Sequence, residues 1–142
     1  MRLMMMIGVA GVCLGVGGCA STGETQEVST RGEGDRYVTA LVAEFEATDE
    51  MIVSGQQLFD EGSCSKCHRP GGVGGDRAPS LADSAWAYSD GSLEGIRRTI
   101  ALGVPKSHVG DEYPFEMYPM GKMSLNHNQL NALASYVWSL SR

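Results

Sequence analysis

At 142 residues, with 42% hydrophobic side chains, the chain supports one small domain with a modest core. A formal net charge of −6 and the lack of any basic stripe exclude a nucleic-acid-binding surface. The acid is unevenly placed: residues 20–61 carry Asp or Glu at 24, 27, 33, 35, 44, 46, 49, 50, 60 and 61 against Arg31 and Arg36, while residues 62–142 are near neutral.

Met1-Arg2 is a minimal positive start, and the apolar run Leu3–Val16 has the length of a signal-peptide core, too short for a stable membrane span. Val16-Gly17-Gly18-Cys19 resembles the lipobox of bacterial lipoproteins, in which the cysteine is acylated and becomes the first mature residue. The alternative is an ordinary signal cleaved near Ala20. Residues 20–36 are polar, rich in Gly, Ser and Thr, and too poor in apolar groups to order themselves. The expected organisation is a signal peptide over 1–18, a lipidated flexible tether over 19–36, and one domain over 37–142 with its core at about 50–142. The product is exported and lipid-anchored, facing the periplasm or cell exterior. Ala20, in place of the aspartate that retains many lipoproteins at the inner membrane, points toward the outer membrane.

The domain reads as all-α. Val38, Leu41, Val42 and Phe45 form a helical stripe over Tyr37–Thr48, and a second helix follows over Asp49–Asp60 with Ile52, Gly55, Leu58 and Phe59 inward. Pro70–Gly75 is a glycine-rich loop without the Gly-Lys-Ser/Thr of a phosphate loop. Ser92 N-caps a helix that stops at Gly103, with Leu93, Ile96 and Ile100 inward. Residues 104–124 read as irregular. Asn126 and Gln129 form a capping box for the last helix, Leu125 can staple onto Leu130, and Leu130, Leu133, Ala134 and Val137 share one apolar face.

Between the second helix and the glycine-rich loop lies Cys64-Ser65-Lys66-Cys67-His68. C-x-x-C-H is the attachment signature of a c-type haem. Two thiols three residues apart can each add to one porphyrin vinyl group, and the adjoining histidine can bind the iron from the proximal side. A thioredoxin-like pair wants a strand–helix context, and a zinc site wants a second ligand pair, which does not follow downstream. Cys13 leaves with the signal peptide, Cys19 takes lipid, and Cys64 and Cys67 take one covalent haem, so no thiol remains for a disulfide. Lys66, Arg69 and Arg77 flank the motif, either as a solvated face or as a set that steers a redox partner.

Over roughly residues 50–142 the chain resembles the class I cytochromes c of bacteria. The resemblance is carried by Gly55-Gln56-Gln57-Leu58-Phe59 before the cysteine motif, Ala78-Pro79-Ser80-Leu81 after it, and Ala134-Ser135-Tyr136-Val137-Trp138-Ser139-Leu140 in the closing helix. Ala85-Trp86-Ala87-Tyr88 with Ile96–Gly103 is similar to the haem-c domains of the dihaem subunit of haem–copper oxidases. The resemblance implies a small cytochrome c fold, N- and C-terminal helices crossing over the haem and long loops wrapping it. It also implies that Gly55 and Phe59 cross the last helix near Tyr136, and that the Pro79 carbonyl accepts a hydrogen bond from the proximal His68. It further implies a methionine sixth ligand shortly before the closing helix. The family's Met-Pro is absent. Met120 has the spacing of members with a short ligand loop and is the expected ligand, with Met117 the runner-up. Met123 stands too near the helix, and His108 and His127 are the rivals of another type.

The implied function is one-electron transfer in a respiratory chain by a membrane-tethered, His/Met-ligated carrier. Donor and acceptor oxidoreductases are its partners, with no small-molecule substrate and no nucleic acid. No acid–base or nucleophile constellation is visible, so the chain does not read as an enzyme. Two other classes remain open: a haem-based gas-binding sensor with a labile sixth ligand, and a copper(I) protein using Met117, Met120, Met123 and His108.

Overall fold

The computed structural model describes residues 44–142. The signal peptide, Cys19, the tether and residues 37–43 of the first expected helix lie outside the described residues. Of that helix, Glu44–Thr48 is described and is not helical. The reason is Thr48, which is extended (φ −112°, ψ 161°) and accepts a hydrogen bond from the Met51 N–H through its hydroxyl at 3.3 Å. A residue that N-caps one helix cannot continue another into it.

Five helices follow among the described residues: α1 (Asp49–Glu61), α2 (Cys64–His68), α3 (Leu93–Leu102), α4 (Lys106–Val109) and α5 (His127–Ser139). Short 3-10 turns lie at Pro70–Gly72 and Pro119–Lys122, and no strand is present among the described residues. The main boundaries have local causes. Asp49 and Glu50 sit at the positive end of α1. Ser92 Oγ accepts from the Gly95 N–H at 2.9 Å to start α3, and Gly103, at φ 70°, ends it. Asn126 and Gln129 exchange reciprocal hydrogen bonds of 3.0 Å at the start of α5, which completes the capping box.

The most extensive helix contact is between α1 and α5. Gly55 is the reason it is close. A Cβ there would overlap the Ala132 carbonyl and lie 2.8 Å from Tyr136 Cβ. Four residues on, on the same face of α1, Phe59 meets Tyr136 edge-on, with ring centroids 5.3 Å apart. α3 packs on another side of α5 through Ile96 and Ile100. Because α5 is covered by both, Leu130–Val137 is buried throughout rather than on one stripe.

One buried group was not foreseen from sequence. Arg97 of α3 is fully buried. It holds both carboxylate oxygens of Glu94 at 2.7 Å, donates to Asn131 Oδ1 of α5 at 3.3 Å, and stacks on the Phe45 ring at 4.8 Å. A planar guanidinium suits this site because one nitrogen meets Glu94, another meets Asn131, and its face stacks on Phe45.

At Gly55 an added methyl must push the two helices apart. Gly55→Ala is expected to cost about 2 kcal/mol and to lower the melting temperature by roughly 10 °C in thermal denaturation of the holo-protein. A melting temperature unchanged from the parent would contradict this crossing.

Candidate functional site

The cysteine motif is itself the short helix α2. Helical spacing brings residues i, i+3 and i+4 to one face, so Cys64, Cys67 and His68 look the same way. All three line a cavity of about 390 Å³, in the size range of a cofactor site. Much of its remaining wall is apolar core: Phe59, Ile96, Ile100, Leu133 and Val137, with Trp86 beside them.

The chemistry of these groups argues against thiol redox work. Burial pushes the Cys64 thiol up to about 11, so it is protonated at neutral pH. A reactive redox dithiol needs the reverse, a thiol below its ordinary value. Burial holds His68 below the ordinary histidine range and so favours the neutral imidazole that a metal ligand requires, although the hydrogen bond to Pro79 pulls the other way. His68 Nδ1 donates to the Pro79 carbonyl at 3.0 Å. A carbonyl only accepts, so the proton sits on Nδ1 and the lone pair on Nε2 is left for a metal.

The glycine-rich loop presents that carbonyl. The Gly74 N–H donates to the His68 carbonyl at 2.8 Å, and the Leu81 N–H donates to Gly72 at 2.7 Å. Gly74 has φ 70°, and a Cβ on it would overlap the Ser80 backbone and lie 2.6 Å from the Pro79 carbonyl carbon. The loop therefore lies flat on Pro79–Ser80 only because residue 74 has no side chain.

Of the methionines, Met117 and Met120 line the cavity. Met117 is pinned by paired backbone hydrogen bonds with Val104, 3.0 and 2.8 Å, and packs on the core. Met120 lies in the Pro119–Lys122 turn in a left-handed conformation (φ 50°, ψ 21°). Met123 is elsewhere, its sulfur 2.5 Å from where a Gly62 Cβ would stand. His108 and His127 are exposed and outside the cavity lining, and Asn131 Nδ2 is 3.2 Å from His127 Nε2. The structure thus does not gather His108 and Met123 with Met117 and Met120.

The segment expected to be irregular, 104–124, has more order than its sequence suggested. The Val104–Met117 pairing closes a loop containing α4, and Lys106 Nζ ties the carbonyls of Gly110 and Tyr113 together within it. Val109, Tyr113 and Phe115 of this loop line the cavity, a role that no motif announced. Of the flanking basic residues, Lys66 and Arg77 line the cavity, Arg77 stacks on Phe115 at 5.7 Å, and the exposed Arg69 pairs with Asp76 at 3.3 Å.

An apolar cavity of this size, with two thiols and a neutral, pre-oriented imidazole on one helical face, fits a covalently held metalloporphyrin in an all-helical domain. The cytochrome c family model matches residues 52–141, and the chain belongs to that family, whose members carry haem c and transfer electrons. It is similar to the cbb3-type cytochrome c oxidase subunit CcoP of Azospirillum brasilense, 28% identical over 120 residues, covering 76% of this chain and 40% of that protein. It is also similar to CcoP of Azospirillum sp. (strain B510), 31% identical over 120 residues, covering 75% of this chain and 39% of that protein. The chain thus spans about 40% of the length of these curated relatives. No solved structure matches.

Gly74→Ala should strain the loop and displace the Pro79 carbonyl. In the holo-protein the His68 Nδ1–H resonance is expected to shift and to exchange faster with water. The midpoint potential should rise, because a weaker hydrogen bond leaves a less basic imidazole. An Nδ1–H signal identical to the parent's would show that the loop does not position the carbonyl.

Proposed function

We propose that this protein is a membrane-tethered one-electron carrier of a respiratory chain, holding a single haem c between His68 and a methionine, with Met120 the sulfur ligand. The observation that carries the reading is the shared cavity of Cys64, Cys67, a neutral Nδ1-tethered His68 and two methionines. When bound, the haem supplies one-electron cycling between the ferric and ferrous states.

Cys64 and Cys67 provide the thioether sulfurs, and the sequence holds one C-x-x-C-H motif, which supports one haem. His68 Nε2 would hold the iron, and the Pro79 carbonyl holds the ring in orientation. The thioether of Met120 favours the ferrous state, and the apolar wall excludes water and disfavours the extra charge of the ferric one. Met120 is preferred over Met117 because Met117 is held by its backbone pairing and its place in the core. Met120 instead occupies a strained left-handed backbone position of the kind that gathers at functional sites.

Cys19 would anchor the chain by lipid at a membrane facing the periplasm or cell exterior, and residues 20–36 would let the domain reach a donor and an acceptor held at that surface. No described helix is long and apolar enough to cross a membrane. Similarity to oxidase subunits favours redox proteins of a terminal-oxidase pathway as partners.

Intact mass and a pyridine haemochrome spectrum of protein made with the haem-c maturation system should show one haem per chain and no free thiol at Cys64 or Cys67. Met120→Ala should abolish the near-infrared methionine charge-transfer band, lower the midpoint potential and open the iron to CO, while Met117→Ala keeps the band. Loss of the band in Met117→Ala alone would transfer the assignment to Met117. A parent protein that binds CO freely would favour the gas-binding sensor. Cys19→Ser should abolish incorporation of labelled fatty acid and leave the haem spectrum intact.

A further inference from the structure

Met120 (φ 50°), Gly121 (φ 62°) and Lys122 (φ 65°) lie in the left-handed region one after another. Two of the three carry side chains, so the turn is strained and persists where its surroundings hold it. Some of its contacts are local and would survive if the turn swung away. The Gly121 N–H donates to Tyr118 at 2.9 Å, the Met123 N–H donates to Met120 at 3.1 Å, and the Lys122 ammonium sits 3.5 Å over the Tyr118 ring.

A different bond leaves the turn. Ser63 Oγ donates to the Gly121 carbonyl across 58 residues of chain. Ser63 is the N-cap residue of α2, directly before Cys64, and an N-cap serine ordinarily turns its hydroxyl oxygen to its own helix. Here it makes no such cap and reaches the methionine turn instead. The approach is tight: a Cβ on Gly121 would lie 2.5 Å from Ser63 Oγ and 3.9 Å from Cys64 Sγ. The segment that starts the attachment helix and the segment that carries the sulfur ligand are therefore latched to each other.

We propose that Ser63 is a positioning residue for the sixth iron ligand, its hydroxyl holding the Pro119–Lys122 turn closed and so setting how often the Met120 sulfur leaves the iron. This rests on the reading of Met120 as the ligand. The Ser63 hydroxyl acts through the Gly121 carbonyl.

Imidazole binds a ferric haem only after the methionine has left, so its affinity reports turn opening. In the holo-protein, Ser63→Ala is expected to raise imidazole affinity roughly fivefold, the scale of one lost hydrogen bond. Ser63→Thr, which keeps the hydroxyl, should restore the parent value. In a Met120→Ala background, Ser63→Ala should have no further effect, since there is no sulfur left to displace. Ser92→Ala, which removes the N-cap of α3, serves as the comparison: it should lower the melting temperature and leave imidazole affinity alone. A Ser63→Ala protein that melts lower but keeps the parent affinity, while Met120→Ala loses the charge-transfer band, overturns the latch and spares the ligand assignment. A Met120→Ala protein that keeps the band overturns the assignment and the latch with it.

Discussion

The contact of α1 with α5 at Gly55 is the constraint on which the rest of the structure depends. α2 begins within three residues of the end of α1, so wherever α1 is set, the two cysteines and His68 are set with it. Fixing α1 against α5 places the attachment face beside Leu133 and Val137, which belong both to the helix core and to the cavity wall. Backbone-to-backbone approach of this kind leaves little freedom of angle, because close-packed groups cannot be compressed. A larger residue at the crossing would hold the helices further apart and turn the cavity wall away from the cysteines.

The cavity and the core are one object seen from two sides. Phe59, Ile96 and Ile100 pack on the helices with one face and line the cavity with another. A domain of this size buries a limited apolar area by itself, and a large apolar cofactor adds surface for the same side chains to cover. The same side chains therefore serve the packing of the helices and the filling of the cavity.

The parts legible in the sequence were those whose cause is local. Ser92, Gly103, Asn126 and Gln129 announce their helix ends because caps are satisfied within a few residues. The Cys64–His68 motif announces its chemistry because its spacing is its mechanism. Of the helix expected over Tyr37–Thr48 only Glu44–Thr48 is described, and there the helical spacing of Phe45 gave way to Thr48, which is equally a capping residue. Arg97 itself was hidden: its partner Glu94 stands at i+3 spacing, a weak signal, and Asn131 comes from a distant helix. The Val104–Met117 pairing, the cavity-lining Val109 and Phe115, and the reach of Ser63 to Gly121 are contacts between segments far apart in sequence, and a single sequence carries no periodicity that could betray them.

The Val104–Met117 pairing gives the segment between them an unusual independence. Its two ends are joined to each other by backbone bonds, and its interior is braced by Lys106 on its own carbonyls. Residues 105–116 are thus a parcel tied at the neck, with Val109, Tyr113 and Phe115 in the cavity wall. Residues could be inserted into or removed from it without shifting the register of the methionine turn downstream, because the neck absorbs the change and the entropy of a longer closed loop grows slowly. The cover over the cavity and the geometry of the methionine turn can therefore vary separately, so one can be refitted while the other stays as it was.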